Sequence, residues 1–400
     1  MKKKIMILGA SILQLPAIKK AKEMGLDVIA VDMNPDAIGF SEKDILKEVI
    51  STIDIPAVID AAKKHGIDGV MTLATDMPMR TVAAVAQALG LKGVNQETAY
   101  KATNKAEMRK ALNEFSVPIP KFFKVSNKKE YDNAVEFFND AFIVKPADSS
   151  GSRGIYLVED SANRITVDNA YEYSKQFSRC GDVVVEEYMR GAEVSVETLS
   201  IDGVCNVIQI TDKLTTGAPH FVEMGHSQPT QLSQENIEKI INVTVAANKA
   251  LGIENGPSHT EIIVTAEGPK IVELGARLGG DCITTHLVPL STGVDMVENC
   301  IKIALGEDVD IEKKYNKGSA IRYFEQKAGI IKDIQGLEDA QKVDGVQQIS
   351  IVYGEGERIT DVVGSASRMG FVISQADNAY SAIESCEKAL SKIKIDIGEE

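Results

Sequence analysis

The chain has 400 residues, 44% of them hydrophobic and 26% charged, the balance of a globular protein with more than one packed unit. A net charge of −14 argues against nucleic acid or anionic lipid as partners, and no apolar run approaches the ~18 residues of a membrane span. Cys180, Cys205, Cys282, Cys300 and Cys386 form no CxxC pair and the histidines no HExxH, so a reduced, cytoplasmic setting without a zinc site is expected.

The start is basic, but the apolar run Ile5 to Ala10 is too short for a signal-peptide core and reads as a buried strand. Lys4 to Gly9 and Asp27 to Asp32 read as strands around a helix ending at Gly25, an arrangement that makes them parallel. A helix over Ala57 to His65, a strand at Gly69 to Leu73 and a helix over Pro78 to Leu89 repeat the pattern. The first 100 or so residues therefore read as a doubly wound α/β domain. The turn Gly9-Ala10-Ser11-Ile12-Leu13-Gln14 lacks the later glycines of a dinucleotide fingerprint, which argues against a ribose-binding role for Asp32.

Beyond Thr103, Asn104 is placed to cap a helix running to Phe115, and Val117-Pro118-Ile119-Pro120 is a stiff connector. Strands follow at Phe142 to Lys145, Val183 to Glu186, Glu193 to Ile201 and, after the turn Asp202-Gly203, Val204 to Ile210. Ile237, Ile241 and Val245 mark one face of a helix ending near Gly252, and strands at Thr260 to Val264 and Lys270 to Leu274 come next. Strands near Ala320 to Phe324 and Gln348 to Tyr353 and a helix over Ala376 to Ile393 complete the chain.

Some of these elements carry groups suited to phosphate chemistry. In Ser149-Ser150-Gly151-Ser152-Arg153-Gly154, small residues let backbone N–H groups turn toward an anion, but no GKS/T follows, so it is not a P-loop. Lys145 ends an apolar strand and needs an anionic partner, while Lys105, in the first turn of its helix, fits a nearby phosphate or simply a solvated surface. Taking Ala266 to Gly268 as a three-residue hairpin loop sets Thr265 opposite Pro269 and Glu261 opposite Glu273. Facing carboxylates repel unless a cation lies between them, and Mg²⁺ accepts one or two carboxylates plus substrate phosphates. Arg277, four residues on, is placed to offset charge on a transferring phosphoryl group. Glu186, Glu187 and Glu193 read either as acceptors for a base and ribose or as solvated edge acids.

The ordered series resembles the ATP-grasp superfamily: Asn104-Lys105, Val144-Lys145-Pro146, the Ser/Gly loop, Val185 to Glu193, Thr260-Glu261-Ile262 and Val272 to Gly280. The resemblance implies an α/β and α+β multidomain fold. Residues 1–100 would form a doubly wound pre-ATP-grasp domain, 101–318 a two-lobed ATP-grasp domain with a mobile lobe over 121–186, and 319–400 a small α+β domain like that of biotin carboxylase. It implies an ADP-forming carbon–nitrogen ligase using ATP and Mg²⁺, with Mn²⁺ an alternative. Lys105 and Lys145 would contact phosphates or base. Ser150, Gly151 and Ser152 would cover the phosphates. Glu186 with Glu187 and the Tyr188–Met189 backbone would meet adenine, and Glu193 the ribose. Glu261 and Glu273 would hold the metal, and Arg277 would sit by the acyl phosphate. Many members carry Asn two residues after the second metal Glu, where this chain has Gly275.

Pro257 to Glu261, Thr215-Thr216-Gly217 and Gly225 to Pro229 look most like dipeptide-forming L-amino acid ligases, which makes Lys213, His226 and His259 substrate-side candidates. ATP, a small carboxylate and an amine are the partners so implied, together with a homodimer. The alternatives are a bicarbonate- or purine-pathway relative and a nucleotide-binding protein without catalysis.

Overall fold

The computed structural model describes residues 2–398. At the N-terminal end, β1 (Lys4–Leu8), β2 (Asp27–Val31), β3 (Leu46–Glu48) and β4 (Gly69–Met71) form a parallel sheet in the order β3-β2-β1-β4. Ile5, Met6, Ile7 and Leu8 are fully buried, as befits a central strand covered on both faces. The helix Ile55–His65 starts at Asp54, whose side chain accepts from Ala57 N–H, and stops at Gly66 in the left-handed conformation.

Asn104 caps the helix Lys105–Glu114, accepting from the N–H groups of Ala106 and Glu107. The chain then enters an antiparallel lobe of β5 (Phe122–Val125), β6 (Phe142–Pro146), β7 (Tyr156–Val158) and β8 (Val183–Glu187), in the order β5-β8-β6-β7. Tyr131, Phe138, Phe142, Val144 and Val185 fill its own core.

The remaining strands are β9 (Ala192–Ile201), β10 (Val204–Thr215), β11 (Glu223–Gln228), β12 (Gly256–Thr265), β13 (Gly268–Gly275), β14 (Gly318–Tyr323), β15 (Gly329–Gln335), β16 (Val346–Ile351), β17 (Arg358–Ile359), β18 (Gly370–Ala376) and β19 (Lys394–Gly398). Eight of them form one sheet, β13-β12-β9-β10-β11-β14-β18-β16, and β17-β15-β19 form a small second one. The large sheet runs through residue 318 without a break, because β14 pairs with β11 on one side and β18 on the other. The last long helix is Ala379–Leu390, shorter than the periodicity implies: Ala376 still pairs in β18, and Asn378 caps the helix by accepting from Ser381 N–H. No helix among the described residues is long and apolar enough to cross a membrane.

Candidate active site

The hairpin of β12 and β13 sets Glu261 opposite Glu273, but not by the expected loop. Thr265 pairs with Gly268, so the loop is the two residues Ala266 and Glu267, and a bulge at Val272 restores the alignment. Two offsets of one residue cancel. The bulge is held from outside: Arg109 Nη2 donates to the Val272 carbonyl at 2.7 Å, and Ile271 N–H to the Pro118 carbonyl at 2.9 Å.

Each facing carboxylate meets a lysine. Lys105 Nζ lies 2.8 Å from Glu273 Oε1 and donates to the Ser149 carbonyl at 2.5 Å, tying the helix start to the Ser/Gly loop. Lys213 Nζ, buried on β10, lies 2.6 Å from Glu193, 3.0 Å from Glu261 and 3.6 Å from Glu223. Burial opposes its charge, but Glu261, Glu193 and Glu223 hold it well above the usual lysine range. Glu261 is held well below the carboxylate range: burial opposes this, and Lys213 and His259 outweigh it.

Arg109, Lys145 and Glu186 form a buried ion triad. Arg109 grips both carboxylate oxygens at 2.6 and 3.1 Å, and Lys145 Nζ lies 2.5 Å from Oε2. Glu186 was expected at adenine, but both its oxygens are engaged by these cations. Despite burial, Arg109 and Lys145 lower its carboxyl to about 2. Lys145 is lowered too, because burial, Arg109 and Lys105 outweigh the attraction of Glu186. Arg109 and Lys145 thus share a single carboxylate.

The Ser/Gly loop is open. Gly151, Ser152 and Arg153 are exposed, with φ of 67° at Gly151, 57° at Ser152 and 80° at Gly154. Arg153 Nε donates to the Ser150 carbonyl rather than reaching inward. Glu187 lies at the lobe's edge, accepting from Lys121 N–H at 3.1 Å. In the link to β9, Met189 is buried and the Tyr188 ring packs 6.3 Å from Phe221 under the Arg190 guanidinium.

Sequence reasoning missed several partners. His259 Nδ1 meets Glu197 at 2.5 Å, and its Nε2 stands 3.7 Å from Glu261. Burial opposes the imidazolium, but Glu197 and Glu261 raise it to about 9. Arg277 is paired with Asp76 of the N-terminal domain, at 3.0 and 3.3 Å. This pairing explains Gly275, since a Cβ there would lie 2.7 Å from Asp76 Oδ1. Asp281 and Cys282 both adopt positive φ, 51° and 61°. The Asp281 carboxylate is clasped by Arg368 at 2.8 and 2.7 Å, with His226 Nε2 at 3.4 Å. For these arginine–acid pairs the available signal was a guanidinium in an apolar context, which requires an acid somewhere.

Residues 138–285 match the ATP-grasp domain. The chain thus carries an ATP-grasp domain, the fold of a class of ligases that use ATP with divalent metal ions. Residues 322–398 match the L-amino acid ligase C-terminal domain 2, which places the chain beside the amino-acid ligases of that class. It is 26% identical over 305 residues to alanine–anticapsin ligase of Bacillus subtilis (strain 168), covering 70% of this chain and 62% of that enzyme, less than two thirds of its length. In fold it is similar to an L-amino acid ligase from Bacillus licheniformis, with a TM-score of 0.86, 22% identity, and coverage of 100% of this chain and 99% of the other. Phosphoribosylglycinamide synthetase from Anaerococcus prevotii gives a TM-score of 0.81 at 24% identity, covering 100% of both chains.

Proposed function

We propose that this chain joins a carboxylate to an amine through an acyl phosphate, forming an amide or peptide bond with an amino acid as substrate. The observation that carries the reading is the charge pattern: two buried cations, Arg109 and Lys145, share the one carboxylate of Glu186, and Lys105 joins the Ser149 carbonyl of the Ser/Gly loop to Glu273, which faces Glu261. The cations attract a phosphate. The facing carboxylates are the donor set that Mg²⁺ accepts, with the remaining ligands coming from phosphate oxygens and water.

Glu261 and Glu273 would hold Mg²⁺, which when bound supplies charge neutralisation on the phosphates. Lys105 and Lys145 bind and orient the phosphates. The Ser/Gly loop excludes water from the acyl phosphate, and the backbone at Tyr188 and Met189 borders the base, with Glu193 at the ribose. The substrate carboxylate attacks the γ-phosphorus, and the bond to the ADP oxygen breaks. Arg277 offsets the developing charge by turning from Asp76 toward the phosphoryl group. The amine then attacks the acyl carbon, phosphate leaves with the bonding pair, and the nitrogen loses a proton. Lys213, His226 and His259 position the substrates. Catalysis is mostly orientation and electrostatics.

The test is phosphate release from Mg·ATP across a matrix of amino-acid pairs, with bicarbonate as a further acid and Glu273→Gln as control. Release that needs two amino acids and is lost in Glu273→Gln, with unchanged far-UV circular dichroism, is expected. Full release by Glu273→Gln would refute the metal assignment, and release with bicarbonate alone would refute the amino-acid substrate.

A further inference from the structure

A cavity of about 480 Å³ lies between the large sheet and the C-terminal helix Ala379–Leu390, within the size range of small-molecule sites. Arg322 enters it from the opposite face of the sheet to the catalytic groups, while Met224 and Tyr323 also reach its lining. Alternation along β14 settles this: Ile321 and Tyr323 pack into the core shared with Leu278 and Ile283, while Ala320 and the following Phe324 pack into the C-terminal core with Cys386. Arg322 belongs to the second face and lies over Gly225, where a Cβ would come within 2.7 Å of its Nη1.

The lining is mostly apolar, with Arg322, Glu325 and Glu387 as its charged groups. Leu214, Leu390, Ile393 and Ile397 form the walls, Arg322 lies at the base and Glu387 at the rim. The Arg322 side chain is only 11% exposed, and the Glu387 carboxylate stands 4.0 Å from its Nε. That Nε is shut off from solvent and has no hydrogen-bond partner among the described residues. Burial holds the guanidinium below its ordinary range. A guanidinium this buried, with its nearest carboxylate at 4.0 Å, is a costly arrangement that a ligand carboxylate at hydrogen-bond distance would relieve.

We propose that this cavity is a second, non-catalytic site for an apolar α-amino acid, its carboxylate on Arg322, its ammonium toward Glu387 and its side chain against Leu390, Ile393 and Ile397. The site is joined to the catalytic face through Arg322 Nη1, which donates at 3.0 Å to the Ile321 carbonyl and at 3.2 Å to the backbone carbonyl of His226, whose ring lies on the other side of the sheet. Occupancy therefore bears on the strand that carries His226.

Equilibrium dialysis of the nucleotide-free full chain tests this with labelled L-leucine, with 4-methylpentanoate, which lacks the ammonium, and with 3-methylbutylamine, which lacks the carboxylate. The expected order is leucine, then the acid, with the amine unbound. Arg322→Gln should weaken leucine binding by about tenfold or more. Ile397→Phe, which narrows the cavity and leaves Arg322 in place, should do the same. Arg277→Gln, on the catalytic face, should leave this binding intact, which separates the site from amino-acid binding at the active centre. No leucine binding at millimolar concentration, equal binding by wild type and Arg322→Gln, or amine binding as tight as leucine would each overturn the proposal.

Discussion

Replacing Glu186 with Gln removes the only negative charge from a triad whose three side chains are nearly inaccessible. The drop of its carboxyl from 4.5 to about 2 corresponds to about 3 kcal/mol favouring the charged folded form. Removing one partner of a buried ion pair costs about 3–5 kcal/mol, so both routes meet near 3. The folded-state value is depressed, so this stabilisation is complete above about pH 4.5 and is lost as pH falls through about 2. In urea, with a slope of about 3 kcal/mol/M, the midpoint should fall by about 1 M at neutral pH. Replacing all three (Arg109→Met, Lys145→Met, Glu186→Leu) should recover most of the loss, because no buried charge is then left alone. That variant should still fail to bind ATP. A Glu186→Gln midpoint within about 0.2 M of wild type would refute the claim that the carboxylate holds two buried cations together.

Arg368→Met leaves the Asp281 carboxylate with His226 Nε2, at 3.4 Å, as its remaining side-chain partner among the described residues, and a loss of about 3 kcal/mol is expected, seen as faster amide exchange over residues 319–398. Gly279→Ala brings a Cβ within 2.7 Å of His259 Nδ1 and 2.9 Å of the Glu197 carboxylate, and turnover should fall by at least about tenfold while the chain stays folded by circular dichroism. Glu197→Gln should lower the NMR titration midpoint of His259 from about 9, because burial is then opposed mainly by Glu261. In the wild type the folded value is raised, so the stability drawn from the imidazolium is full below pH 6.5 and lost as pH rises through about 9.

The strand–helix order of the N-terminal domain was legible because its signals are local: apolar runs such as Ile5 to Leu8, the Asp54 cap and Gly66. The facing of Glu261 and Glu273 was legible for a weaker reason. Hairpin register follows from loop length, but neither the two-residue loop nor the Val272 bulge is written in the residue types, and the pairing emerged only because the two cancel. The charge partners were hidden by distance along the chain. Arg109 and Glu186 are separated by 77 positions, Asp281 and Arg368 by 87, and Asp76 and Arg277 by 201. A solvated acid and a buried counter-ion look alike until the fold brings the cation to one of them. Glu186 was therefore read without the two buried cations that engage its carboxylate.

The catalytic strand-turn from Gly275 to Asp281 is gripped from both directions, by Asp76 from before the central domain and by Arg368 from after it. In terms of inheritance, the stretch 101–318 is not a portable cassette. A gene fusion or recombination that moved it alone would carry the lysines and facing glutamates intact, yet strand a guanidinium and a carboxylate without counter-ions. A segment excised at those bounds would need a new acid for Arg277 and a new cation for Asp281, so the two ends of this turn are held electrically by sequence that lies outside it.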